Sequence, residues 1–240
     1  MKKKILLTGA SGFIGKSFLQ VYSKKYDIFF LKKNTFKDEN SLEELLNLSK
    51  PDIIIHAGAN TNISNSFNNP FQLYKYNLFS TLNIAELCRI KKINSIIYLN
   101  SYGYGIPQYF PVDEKHPLSF HTPYTSSKYI SEKLLFDYAK GFSLNIISLR
   151  MFNIYGLNQG ERFLIPSLIN QALNNKEIEV NDIRPRRDFL YIKDLLNLLI
   201  KIIEKPITEG VYNVGYGKSI SIVDIVNNLE KILKKSLTIK

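Results

Sequence analysis

TGASGFIG, Thr8 to Gly15, decides how this chain is read. It follows a short apolar strand, Ile5-Leu6-Leu7, and runs into a helical segment, Phe13 to Tyr22. Its glycines, Gly9, Gly12 and Gly15, fall at a G-x-x-G-x-x-G spacing. Gly9 can take the positive φ of a tight strand-to-helix turn. Gly12 has no Cβ to hold a pyrophosphate off the backbone, and Gly15 lets helix and strand pack closely. The helix N-terminus then offers unpaired N–H groups and a partial positive charge to an anion. The same spacing also occurs in turns that bind nothing, so its weight depends on context.

That context is an alternation of strands and helices. Asp27 to Leu31, Asp52 to Ile55, Ser95 to Leu99 and Leu144 to Leu149 are short and almost wholly apolar. Such runs suit parallel strands covered on both faces. Between them Ser41 to Leu48, Pro70 to Ile90 and Thr122 to Lys140 carry helical spacing. The pattern predicts an α/β fold with a doubly wound parallel sheet. Past Arg150 the texture changes. A helix over Phe163 to Leu173 leads to a polar basic loop, Asn181 to Asp188. An apolar helix from Asp194, a strand over Val211 to Val214 and a last helix from Ser221 follow. This is material for closing over the carboxyl edge of the sheet, where open α/β sheets bind ligands.

The chain has 240 residues, enough for a sizeable core, and 45% are hydrophobic. One cysteine, Cys88, excludes a disulfide framework and points to a reducing compartment, the cytoplasm. The lysines after Met1 precede too short an apolar run for a signal segment. Leu195 to Ile203 is interrupted by Asn197 and Lys201, so no membrane span is expected. The net charge of +11 is lysine scattered along the chain, with only six arginines. That is a solvated surface that steers anionic ligands, and no nucleic-acid partner is expected. Three dispersed histidines lack metal-ligand spacing, and no metal site is expected.

PYTSSK, Pro123 to Lys128, carries the chemistry. Thr122 can cap a helix whose first turn holds Pro123. Tyr124 and Lys128 then lie at i and i+4 on one face. A phenol titrates near 10 and is a poor base at neutral pH, but a fixed ammonium nearby favours its anion. The pair could exchange a proton with a substrate hydroxyl. Ser101, in NSYGYG (Asn100 to Gly105) at the carboxyl end of the Ser95 strand, could orient that transfer. Alone, such a pair is commonplace on helix surfaces, and such a serine is an ordinary turn former.

These motifs occur in order with HAGA (His56 to Ala59), LRMFNIYG (Leu149 to Gly156), RRDFLYIKD (Arg186 to Asp194) and YNVGYGKSIS (Tyr212 to Ser221). Together they resemble the extended short-chain dehydrogenases/reductases that act on nucleotide sugars, the NAD-dependent epimerase/dehydratase group. The resemblance covers nearly the whole chain. It implies a Rossmann domain over 1–160 and about 188–218, and a substrate lobe over about 161–187 and 219–240. Gly9, Gly12, Phe13, Ile14 and Gly15 would hold the pyrophosphate of NAD or NADP. His56, Ala57, Gly58 and Ala59 would line the cofactor's path. Asn77, in YKYNLFSTLN, matches the family's helix asparagine near the nicotinamide end. Tyr124 would be the acid/base, Lys128 would bind the nicotinamide ribose and bias Tyr124, and Ser101 would be the hydroxyl partner. The serine loop is one residue shorter than the family's, which makes Asn100 a poorer match for that place than Ser101. Asn153 and Arg187 would meet the substrate diphosphate, Arg187 as a charge-assisted fork. A homodimer through the helices Pro70–Ile90 and Thr122–Lys140 is implied in the same way.

Three departures shape the expectation. The second strand's terminal Asp is replaced by Lys32, which accommodates the extra phosphate of NADP; a solvated strand-end lysine is an equally plain account. The dehydratase branch carries Thr-Asp-Glu where this chain has Asn100-Ser101-Tyr102, which argues against sugar 4,6-dehydration. Family members continue several tens of residues past the Ser221 helix, which implies a lobe shortened at the C-terminus. The leading expectation is an NAD(P)-dependent nucleotide-sugar 4-epimerase. The alternatives are an NADPH-dependent 4-ketoreductase using the same residues once, and a non-catalytic dinucleotide-binding protein.

Overall fold

A computed structural model describes residues 2–30 and 50–240. Leu31, Lys32 and the helix expected over Ser41 to Leu48 lie outside the described residues. Contacts divide the chain into two compact units. One runs to Met151 and resumes at Leu199–Asn213; the other comprises Phe152–Leu198 and Val214–Lys240.

The first unit is built on strands β1 (Lys4–Thr8), β2 (Asp27–Phe30), β3 (Ile53–His56), β4 (Ser95–Ser101) and β5 (Asn145–Met151). With β9 (Gly210–Val214) they form a six-stranded sheet in the order β2-β1-β3-β4-β5-β9. The pairings from β2 through β5 are all parallel. The order reverses between β1 and β3, the kind of switch point at whose carboxyl edge open α/β sheets bind ligands. Ile53, Ile54 and Ile55 in β3, and Ile96 and Ile97 in β4, are all buried, as strands covered on both faces require.

Helices follow the apolar spacing. They are α1 (Phe13–Tyr22), α2 (Ile63–Asn68), α3 (Pro70–Lys91) and α4 (Pro123–Phe142). Ile84, Ala85, Leu87 and Cys88 of α3 and Leu135 of α4 pack with Leu6, Ile54, Ile96 and Ile146 of the sheet. Asn69 caps α3 through Gln72 N, with Pro70 in the first turn. Thr122 and Thr125 form a capping box at α4, contributing about 1 kcal/mol.

The second unit contains α5 (Leu164–Asn174), β7 (Glu177–Ile178), α7 (Ile222–Leu233) and β11 (Thr238–Ile239). They enclose a small core of Leu168, Ala172, Ile178, Ile222, Val226 and Leu237. Helix α6 (Ile192–Glu204) starts in this unit and ends in the first. A three-stranded sheet, β10-β8-β6, joins Ser219–Ser221, Arg186–Tyr191 and Asn153–Tyr155. The loop expected over Asn181 to Asp188 thus becomes strand from Arg186. It pairs in parallel with β6 and antiparallel with β10.

Candidate active site

The loop between β1 and α1 is tight enough to specify its glycines one by one. Gly9 has φ 70°, and a Cβ there would lie 2.7 Å from the carbonyl carbon and oxygen of Ala57 and 2.8 Å from Gly58 N. A Cβ on Gly15 would lie 2.2 Å from the Gly9 carbonyl oxygen. The chain's own packing excludes side chains at both positions. Gly12 is different: it is exposed, and an added Cβ would meet only Gly9 O, at 3.2 Å. Its bare backbone is open to a ligand rather than required by a neighbour. Gly12 is also the N-cap of α1, with no side-chain cap and no acidic residue in the first turn. The N–H groups of Phe13, Ile14 and Gly15 begin the helix and keep their positive field. This cradle fits the pyrophosphate of a dinucleotide.

Thr8 and His56 are register partners at the ends of β1 and β3. Thr8 Oγ1 accepts from Gly58 N at 2.9 Å and lies 2.7 Å from His56 Nδ1. On its other side His56 Nε2 lies 3.1 Å from Thr81 Oγ1, whose own proton goes to Asn77 O at 2.9 Å. One assignment satisfies every group. The ring is neutral, Nε2–H donates to Thr81, and the Thr8 hydroxyl donates to Nδ1. Burial pushes His56 down to about 3, and the charge of Lys128 pushes the same way. Asn77 is buried and wholly occupied. Its Oδ1 accepts from Asn60 N at 2.8 Å and its Nδ2 donates to Ser127 Oγ at 2.8 Å. His56 and Asn77 therefore shape the Ala57–Ala59 turn and tie it to α3 and α4.

Ser101 ends β4, and Tyr124 and Lys128 stand one turn apart at the start of α4. Burial pushes the Tyr124 phenol up to about 12, against a hydrogen bond with the Ser101 side chain that draws it down. The downward pull on Tyr124 thus comes from Ser101, where the sequence suggested Lys128. Lys128 is 3% exposed, donates to Leu99 O at 2.8 Å and sits 4.0 Å from the centre of the Tyr98 ring. Burial brings its ammonium down to about 7, with the Glu132 carboxylate opposing. A lysine poised there changes charge readily near neutral pH.

Residues that the motifs did not single out hold this group in place. Glu132 lies four residues past Lys128 on the same face of α4 and forms a buried ion pair with Arg150 of β5, 2.6 Å between Oε1 and the guanidinium. Its Oε2 accepts from Asn100 Nδ2 at 2.7 Å and Ser148 Oγ at 2.6 Å. Asn100 Oδ1 accepts from Ser101 N at 2.8 Å. The spacing Tyr124, Lys128, Glu132 was the available signal. A Glu four residues from a Lys on a helix reads equally well as a surface pair.

In the second unit, Asn153 Nδ2 donates to Asp188 O at 3.0 Å. Arg186 is engaged by Ser219 and Asp224. Arg187 is exposed, with no side-chain partner among the described residues. Asp188 accepts from Tyr216 N and Gly217 N, each at 2.7 Å, pinning the turn beyond β9. Asn153 and Arg187 thus occupy one small sheet, on the paired strands β6 and β8. Lys32 lies outside the described residues. Among the described residues no group of three or more His, Cys, Asp or Glu is placed to hold a metal. No described helix is long and apolar enough to cross a membrane.

The chain is similar to known proteins over nearly its whole length. A putative UDP-glucose 4-epimerase of Methanocaldococcus jannaschii is 31% identical, over 97% of this chain and 82% of its own length. The solved structure of RMD from Pseudomonas aeruginosa, complexed with NADPH, superposes with a TM-score of 0.89 at 26% identity, covering 99% of this chain and 87% of that one. UDP-glucuronic acid 4-epimerase from Bacillus cereus, in complex with UDP-glucuronic acid and NAD, gives 0.86 at 27% identity, covering 99% and 85%. The model of the NAD dependent epimerase/dehydratase family matches residues 5–215, and the chain belongs to that family of NAD(P)-dependent enzymes.

Proposed function

We propose that this protein is an NAD(P)-dependent nucleotide-sugar 4-epimerase. The observation that carries the reading is the meeting of Ser101, Tyr124 and Lys128 at the carboxyl edge of the sheet. Gly12 and the start of α1 would hold the pyrophosphate of a nicotinamide dinucleotide, which would supply the hydride acceptor and donor. Tyr124 takes the proton of the sugar 4-hydroxyl as that carbon is oxidised, and returns one when it is reduced on the opposite face. Ser101, bonded to Tyr124, holds the same oxygen in line. Lys128, one turn along α4 and fixed at the Leu99 carbonyl, supplies a donor to the cofactor ribose. Arg187 grips the diphosphate through a charge-assisted fork, with Asn153 beside it. The scattered positive charge, +11 overall, draws in an anionic sugar nucleotide.

The protein acts as a cytoplasmic homodimer on this reading. Phe71 and Phe79 of α3 and Ile130 of α4 are 71%, 52% and 44% exposed, an apolar surface suited to a second copy.

Fluorescence titration of the purified protein with NADH and NADPH, after assay for dinucleotide carried through purification, tests the reading. Retained NAD⁺ or a preference for NADH supports epimerisation, in which the dinucleotide is regenerated. A preference for NADPH assigns the protein instead as a 4-ketoreductase and gives Lys32 the added phosphate. Binding of neither overturns the enzyme reading. Tyr124→Phe should lower interconversion of UDP-glucose by at least about 100-fold while leaving dinucleotide affinity nearly unchanged. Unchanged turnover would remove Tyr124 from its role.

A further inference from the structure

Glu132 is buried, and its contacts extend beyond its ion pair. Three strand residues converge on one carboxylate: Asn100 from β4, Ser148 and Arg150 from β5. Arg150 continues to Tyr104 at 3.2 Å, and Tyr104 in turn to Asn213. A carboxamide can bond with either end, and its direction here is set by its neighbours. The carboxylate can only accept, so Asn100 must present Nδ2 to Glu132. Its Oδ1 is thereby turned to the Ser101 N–H, 2.8 Å away. Ser101 is in turn bonded to Tyr124.

We propose that Glu132 is a positioning residue for the reaction, orienting Asn100 so that the Ser101 backbone, and with it the Ser101 hydroxyl, is held against Tyr124. The inference rests on the roles proposed above for Ser101 and Tyr124. A purely structural tie between α4 and β5 would need only the pair with Arg150. The bond to Asn100, and onward to Ser101, is what connects the carboxylate to the reacting groups. The same carboxylate faces Lys128 one turn away. The other titratable groups around Lys128 are Tyr124 on α4, Tyr98 on β4 and His56 on β3, with Arg150 on β5 reached through Glu132.

Glu132→Gln keeps the shape and removes the charge, leaving a carboxamide that can turn either end to Asn100. The expected result is a fall in kcat on UDP-glucose of about 10- to 100-fold, the cost of a small misplacement, with KM and NADH affinity changed less than about twofold. Two readouts need no turnover. The Ser101 amide proton should move upfield in NMR as its bond to Asn100 weakens. The Lys128 titration, followed at its ε-carbon, should move to lower pH, because the opposing charge that raises it is gone. Should Glu132→Gln fail to fold, Asn100→Ala leaves the Glu132–Arg150 pair intact and must show the same loss of kcat. Normal kcat in either variant, or a Ser101 amide and a Lys128 titration that stay in place, overturns the proposal. Tyr124→Phe separates the two failures. If it is inactive while Glu132→Gln is normal, only the positioning role falls; if it turns over, the site reading falls as well.

Discussion

At the scale of the residue, burial sets the character of the site more than charge pairing does. Tyr124 is pushed up, Lys128 and His56 down, and in each case the largest cause is removal from water. His56 gives a consequence for stability. In the unfolded chain its ring takes a proton near 6.5; in the folded protein it does so only near 3. Between those values the unfolded state binds more protons. The His56 contribution is therefore fully present above about pH 6.5 and is lost as pH falls, at up to about 1.4 kcal/mol per pH unit. Urea midpoints measured from pH 7.5 to 5 should drop on this account. In His56→Gln, whose amide carries no proton to gain, the decline should be visibly shallower over the same window. Equal slopes would mean that His56 is protonated in the folded protein.

At the scale of the element, packing fixes Gly9 and Gly15 but not Gly12, and substitutions in the loop should divide accordingly. Gly15→Ala places a methyl against the Gly9 carbonyl and should cost at least about 3 kcal/mol. Gly12→Ala meets one atom at 3.2 Å and should cost less than about 1 kcal/mol, yet weaken NADH binding at least about tenfold. Thermal melts paired with NADH titrations measure both. Equal loss of stability in the two would refute the division. The same contrast explains what could be read beforehand. Strands β1, β3, β4 and β5 announce themselves because burial on both faces leaves a run of apolar residues, and helix α4 because Thr122 and Pro123 mark its start. The sheet of β6, β8 and β10 does not. Its strands have three to six residues, partly exposed, and Arg186-Arg187 at the head of β8 looks like loop. Glu132 escaped for a related reason. A charged residue at helical spacing is ordinarily solvated, and only the tertiary fold brings Arg150 and Asn100 to it.

At the scale of the whole molecule, the outward phenylalanines of α3 bear on assembly. Phe79→Glu puts a charge on the surface proposed to meet a second copy and should shift the protein to monomer, read as mass by analytical ultracentrifugation. A wild-type mass unchanged by the substitution would place the contact elsewhere. The Gly9 backbone rests on Ala57 and Gly58, and Thr8 binds both Gly58 and His56, although the two loops lie some 48 residues apart in sequence. Neither loop has a surface of its own to keep constant while the other drifts. Residues 8–15 and 56–60 pack as one unit, and a chimera that takes its dinucleotide loop from a relative should keep its stability only if the partner turn comes from the same parent.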